Sequence, residues 1–122
     1  MLTQLRDIKR LRERGLRSTL AQLADEADSV RRRQQQLQTR LSALQIRWRT
    51  LNQQTGCLDH LALGRLRSAQ SAMESESQRL RHELDTLAAE QGRISQLRGE
   101  HETQLRLNLR EQEKLKLLEE SE

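Results

Sequence analysis

Apolar residues in the first half of the chain recur in alternating steps of four and three. The repeating positions are Leu16, Leu20, Leu23, Ala27, Val30, Gln34, Leu37, Leu41, Leu44, Trp48 and Leu51. This heptad spacing keeps the apolar side chains on one stripe of a helix, which is typical of a helix that packs along a partner helix. The pattern therefore predicts one long helix over about residues 2–54.

The amino-terminal turns depart from this spacing. Leu5, Ile8 and Arg12 reach the stripe at Leu16 through steps of three, four and four. An eleven-residue spacing of this kind is a stutter, which locally straightens a supercoil. We therefore expect the first turns to present a different face from the rest of the helix.

The pattern lapses after Gln53, where turn and capping residues appear. Gly56 favours the positive φ of a helix C-cap, and Asp59 favours the N-cap of a following helix. We place a bend at about residues 55–59, next to Cys57, and a second helix at about residues 60–120. Its stripe is Leu63, Leu66, Gln70, Met73, Ser77, Leu80, Leu84, Leu87, Gln91 and Ile94, continued with irregular spacing by Leu97, Leu105, Leu109 and Leu118. The sequence predicts an all-α single domain over residues 1–122, a long two-helix antiparallel coiled-coil hairpin.

Composition supports a thin helical protein. Proline is absent, Trp48 is the single aromatic residue, and 33% of residues are charged. Residues 1–55 carry a net charge of about +7 and the remainder about −3, which favours packing of the two halves side by side. No apolar run approaches the ~20 residues of a membrane span, and no cleavable signal pattern opens the chain. We expect a cytoplasmic protein that does not insert into a membrane, and the lone Cys57 agrees with this.

Candidate chemistry is sparse. His60, His82 and His101 are too far apart along one helix to share a metal ion, and the five glycines form no phosphate-binding spacing. Two helices also offer no cleft that excludes water from a reaction. We therefore expect no enzymatic activity, no cofactor and no metal site.

The two chain ends carry more apolar and basic residues than one stripe uses. Leu2, Leu5, Ile8 and Leu11 form a row among arginines, and the carboxyl end repeats leucine around Glu113-Lys114-Leu115. A hairpin brings both ends together, opposite the bend. Spare apolar residues beside a basic cluster are typical of a protein interface.

In size, heptads, this row and the Glu113-Lys114-Leu115 ending, the chain resembles the stalk proteins of bacterial type III secretion systems. These are the YscO/SctO family and their flagellar relative FliJ. The resemblance implies a central stalk at the inner-membrane secretion apparatus that contacts a hexameric export ATPase and the export gate, and that exchanges translocator or effector chaperones. Carried over by position in the hairpin, the partner-binding residues are Leu2, Leu5, Arg6, Ile8, Lys9, Arg10, Leu11, Arg12, Leu115, Lys116 and Leu118.

Two other functions stay open on the residues alone. A generic coiled-coil scaffold or adaptor predicts a tight homodimer. A basic helical arm predicts salt-dependent binding of RNA or DNA, in keeping with a pI of 10.2. Nucleic acid is disfavoured, because Tyr and Phe are absent and Trp48 lies in the stripe.

Overall fold

The computed structural model describes residues 1–53 and 58–121 and contains two long helices. Helix α1 spans Leu2–Gln53 and helix α2 spans His60–Glu120. The helices predicted from the sequence covered about residues 2–54 and 60–120. The start of α1 contacts the end of α2, so the helices run antiparallel there. The predicted all-α two-helix hairpin is confirmed. The proposed cap at Gly56 and the bend at Cys57 lie outside the described residues.

Asp59 caps the start of α2. The backbone N–H of Ala62 donates to Asp59 Oδ1 at 2.7 Å, and the N–H of Leu63 donates to the Asp59 carbonyl at 2.9 Å. A side-chain oxygen in this position satisfies an N–H group that has no partner within the helix. The predicted N-cap is confirmed.

The chain divides into two compact units. Unit 1 comprises Met1–Ser29 and Gln91–Glu122, and unit 2 comprises Val30–Glu90. The core of unit 2 is apolar: Leu37, Leu44 and Leu80 are buried in one cluster, and the partly buried residues packed against it are Leu41, Met73, Leu84 and Leu87. Each of these residues belongs to a predicted stripe.

Ion pairs flank the core of unit 2. Arg33 pairs with Glu83 at 2.8 Å and Arg40 with Glu76 at 3.2 Å. Each of the four residues immediately precedes a residue of the seam, by which we mean the residues of α1 and α2 that face the other helix. In an antiparallel pair, the residues that precede seam positions on both helices lie on the same side.

In unit 1, the seam of α1 keeps its heptad spacing as far as Leu2. Leu16 and Leu23 are buried, and the residues that continue toward the amino terminus are the half-buried Glu13, Lys9, Arg6 and Leu2. Leu5, Ile8 and Arg12 are exposed instead. The predicted stutter is therefore wrong, because the first turns retain the phase of the rest of the helix.

The seam of α2 in unit 1 is also regular. Ile94 is buried, and beyond it the residues of the seam are Leu97, His101, Leu105, Asn108, Gln112, Leu115 and Glu119. Leu109 and Leu118, which we expected there, are exposed, as is Gln91. The spacing looked irregular in the sequence because polar residues occupy four of the seven positions beyond Ile94.

The glycines inside α2 do not mark close approaches. Around Gly64, Gly92 and Gly99 no neighbouring atom lies within 4 Å of where a Cβ would stand, and α2 continues through all three. Neither described helix contains a stretch apolar enough to cross a bilayer.

Candidate functional site

Opposite charges meet in the seam near the chain ends. Arg6 on α1 pairs with Glu119 on α2, and Lys9 pairs with Glu111. The aliphatic stems of Arg6 and Lys9 fill the seam while their charged groups reach carboxylates at its edge. The second oxygen of Glu119, Oε1, is buried and has no hydrogen-bond partner among the described residues. An unpaired buried acceptor weakens this end of the hairpin.

A side-chain amide network crosses the seam beside these ion pairs. Gln112 Nε2 donates to Asn108 Oδ1 at 2.6 Å and to Glu13 Oε1 at 3.0 Å, and it lies 3.4 Å from the carbonyl oxygen of Lys9. Asn108 is only 5% exposed, and among the described residues it is the polar one that is buried. A single buried amide of this kind fixes the register of a coiled coil at a cost in stability.

Two carboxyl groups of unit 1 respond to this environment. Donation from the Arg17 guanidinium, and then from Gln112, lowers the pKa of the Glu13 carboxyl. Donation from the Lys9 ammonium lowers the pKa of Glu111. Both groups are therefore held in the charged form in the folded protein.

Unit 1 exposes its large hydrophobic side chains mainly on one side. Five of them lie one residue before a seam position, which places them on the same side of an antiparallel pair. We call these five the apolar face: Met1, Leu5, Ile8, Leu107 and Leu118. Leu11 and Leu117 lie at the border of the apolar face and point away from the seam. Leu109 lies on the side of unit 1 opposite the apolar face. Contiguous exposed apolar residues of this kind mark interaction sites.

The opposite side of unit 1 is polar. Residues that follow a seam position carry charge of both signs, and we call them the charged face: Asp7, Arg10, Arg14, Arg17, Glu102, Arg106, Glu113, Lys116 and Glu120. Some of these residues form ion pairs within their own helix, as Arg17 does with Glu13 at 2.8 Å. The two sides of unit 1 therefore present different chemistry to a partner.

The predicted partner-binding residues divide among three surfaces. Those in the seam are Leu2, Arg6, Lys9 and Leu115. Those on the side of the apolar face are Leu5, Ile8, Arg12 and Leu118, with Leu11 at its border. Arg10 and Lys116 lie on the charged face. Arg6 and Lys9 are engaged with Glu119 and Glu111, so they are less available to a partner than Arg10 and Arg12.

Met1, Leu107 and Leu117 are exposed apolar residues of the same region that the predicted partner-binding residues do not include. Their positions relative to the seam were the missing signal. Once Leu16 fixes the phase of α1 and Ile94 that of α2, counting in heptads places Leu107 beside the seam and Leu117 outside it. Following apolar residues alone led instead to Leu109 and Leu118.

Within residues 1–53 and 58–121, no group of three or more His, Cys, Asp or Glu side chains is arranged to hold a metal ion. Comparison with protein-family models, with curated proteins and with solved structures found no match to this chain. Unit 1 therefore presents an apolar face on one side of its polar seam and a charged face on the other.

Proposed function

We propose that this chain is a non-enzymatic stalk component of a bacterial type III secretion apparatus that contacts the hexameric export ATPase through unit 1. The observation that carries the proposal is the concentration of exposed hydrophobic side chains on the apolar face. A partner that covers this face removes apolar surface from water, at about 25 cal/mol per Å². The contact would occur in the cytoplasm, at the inner-membrane apparatus.

Charge defines the kind of surface that the ATPase would present. Arg12 lies on the side of the apolar face, and Arg10 and Lys116 lie on the charged face, on the other side of the seam. These three cations favour an apolar groove with an acidic rim, because opposite charges around an apolar centre add specificity and speed association. Contacts with the export gate and with substrate chaperones are part of the same proposal.

The test is ATP hydrolysis by the export ATPase from the same source, titrated with the full chain. We expect the chain to speed ATP hydrolysis and to promote hexamer formation. The I8S/L11S variant should need a concentration at least about tenfold higher than the unaltered chain to reach half-maximal stimulation. Ile8 and Leu11 are 59% and 66% exposed, so the exchange removes contact surface without opening the core.

The matched control is I46S/L61S, which changes two unit 2 residues that are 62% and 65% exposed. It should stimulate like the unaltered chain. Equal loss in both variants, or none in I8S/L11S, would exclude the apolar face as the contact. Absence of both stimulation and co-elution with the ATPase would favour a scaffold function.

A further inference from the structure

A groove opens between α1 and α2 within unit 2, beside the only aromatic residue of the chain. We call its apolar lining residues the floor, namely Leu44, Trp48 and Met73; Ser77 also lines the groove, whose volume is ≈ 490 Å³. Trp48 is half-buried, so part of its ring stays accessible from the groove. We call this site the Trp48 groove.

The groove exists because the seam is incompletely filled at this level. Ser77 occupies a seam position of α2 where an aliphatic side chain would otherwise pack, and it is only half-buried. Ser77 lines the groove together with Trp48 and Met73, and its short side chain fills less of the space than an aliphatic side chain would. Apolar surface left open in this way gains free energy when a ligand side chain covers it.

Cations border the groove and have no carboxylate partner. Arg49 and Arg81 line it, and neither makes an ion pair within residues 1–53 and 58–121. Two other arginines of unit 2 do have a carboxylate partner on the facing helix, since Arg33 pairs with Glu83 and Arg40 with Glu76. One carboxylate, that of Glu74, also lines the groove.

The surrounding sequence reinforces this positive charge. Between Leu41 and Glu83 the chain has six arginines and four acidic residues, Asp59, Glu74, Glu76 and Glu83. Asp59 is already engaged as the cap of α2. The basic charge around the Trp48 groove is therefore not fully neutralised from within this segment, and it favours an anionic partner.

We propose that the Trp48 groove binds an acidic segment of a partner protein, which places an aliphatic side chain against Trp48 and carboxylates on Arg49 and Arg81. Guanidinium groups bind carboxylates in two-point geometry, and the floor of Leu44 and Met73 suits an aliphatic side chain. A nucleic acid fits less well, because successive bases need several aromatic platforms and the chain has one. This inference does not depend on the proposed function of unit 1.

Trp48 itself reports on the site. The full chain is titrated with a synthetic helical peptide that carries leucine along one face and glutamate along the other, and tryptophan emission is followed. We expect a saturable shift of the emission to shorter wavelength that weakens with added salt. The R49E/R81E variant should bind at least about tenfold more weakly. The control R10E/R12E carries the same change of charge in unit 1 and should bind normally.

A second variant separates the groove from general attraction between charges. S77L fills the groove and leaves every charge in place, so it should abolish the emission shift while circular dichroism remains helical. Equal peptide binding by S77L, R49E/R81E and the unaltered chain would overturn the proposal, as would the absence of any shift. Tighter binding of a single-stranded oligonucleotide or of anionic vesicles than of the peptide, lost in the same variants, would overturn it in favour of that ligand.

Discussion

Unit 1 and unit 2 share a heptad spacing and place different side chains in it. In unit 2 the buried cluster is Leu37, Leu44 and Leu80. In the terminal half of unit 1, Arg6, Lys9, Asn108 and Gln112 occupy the equivalent positions of the seam. Three leucines of that region lie outside the seam, and Leu107, Leu117 and Leu118 are all more than half exposed.

The difference shows that helix phase, rather than the hydrophobicity of each residue, decides which side chains are buried. A continuous α-helix is stiff, so the strong apolar positions near its middle fix the direction of the turns near its end. Polar residues that fall in the seam then satisfy one another through ion pairs and amides. Apolar residues that fall outside it remain available to a partner.

The largest expected effect lies in the apolar core of unit 2. Leu37→Ala should lower the free energy of unfolding by about 2–5 kcal/mol, because Leu37 is fully buried and its removal leaves a cavity. Urea unfolding followed by circular dichroism measures the change. Leu118→Ala, at an exposed position of unit 1, should change stability by less than about 0.5 kcal/mol. Similar losses from both substitutions would contradict the contrast between the two units.

A smaller effect of opposite sign is expected in the polar seam of unit 1. Asn108→Leu should raise the free energy of unfolding by about 1 kcal/mol. The leucine would bury apolar surface at a position where the Asn108 side chain accepts one hydrogen bond, from Gln112. Asn108→Ala should lower it by a similar amount, about 1 kcal/mol, by leaving a void. Thermal unfolding of the pair distinguishes the two. A loss of stability in both variants would mean that the amide network outweighs apolar packing at this position.

The smallest effect is a dependence on pH that originates in unit 1. Glu13 and Glu111 have pKa values lowered from 4.5 in the folded chain, so they stabilise it above that pH. This contribution is lost as the pH falls through the folded pKa values. The urea midpoint should therefore decrease less between pH 7 and pH 3 for E13Q/E111Q than for the unaltered chain. The exposed Glu100→Gln is the control, and a steeper profile for E13Q/E111Q would exclude these carboxyls as the source.

Much of the fold was predictable because the apolar stripe from Leu16 to Leu51 is nearly unbroken. The cap at Asp59 was predictable for a local reason, since its side chain reaches a nearby N–H group. The arrangement of side chains in the terminal seam of unit 1 was not predictable. Arg6 and Lys9 carry long aliphatic stems that fill a seam, but their charge hides them from a search for apolar repeats, and the pairing with Glu119 and Glu111 appears only when both helices are in place.

The side-chain amide of Gln112 has fewer hydrogens to donate than it has acceptors nearby. Its nitrogen carries two hydrogens, yet three oxygens lie within hydrogen-bonding range, from Asn108, Glu13 and the backbone of Lys9. The three oxygens therefore compete for two hydrogens. Loss of any one of them still leaves an acceptor for each hydrogen of the amide, so this connection between the helices depends less on a single residue than an ion pair with one carboxylate does.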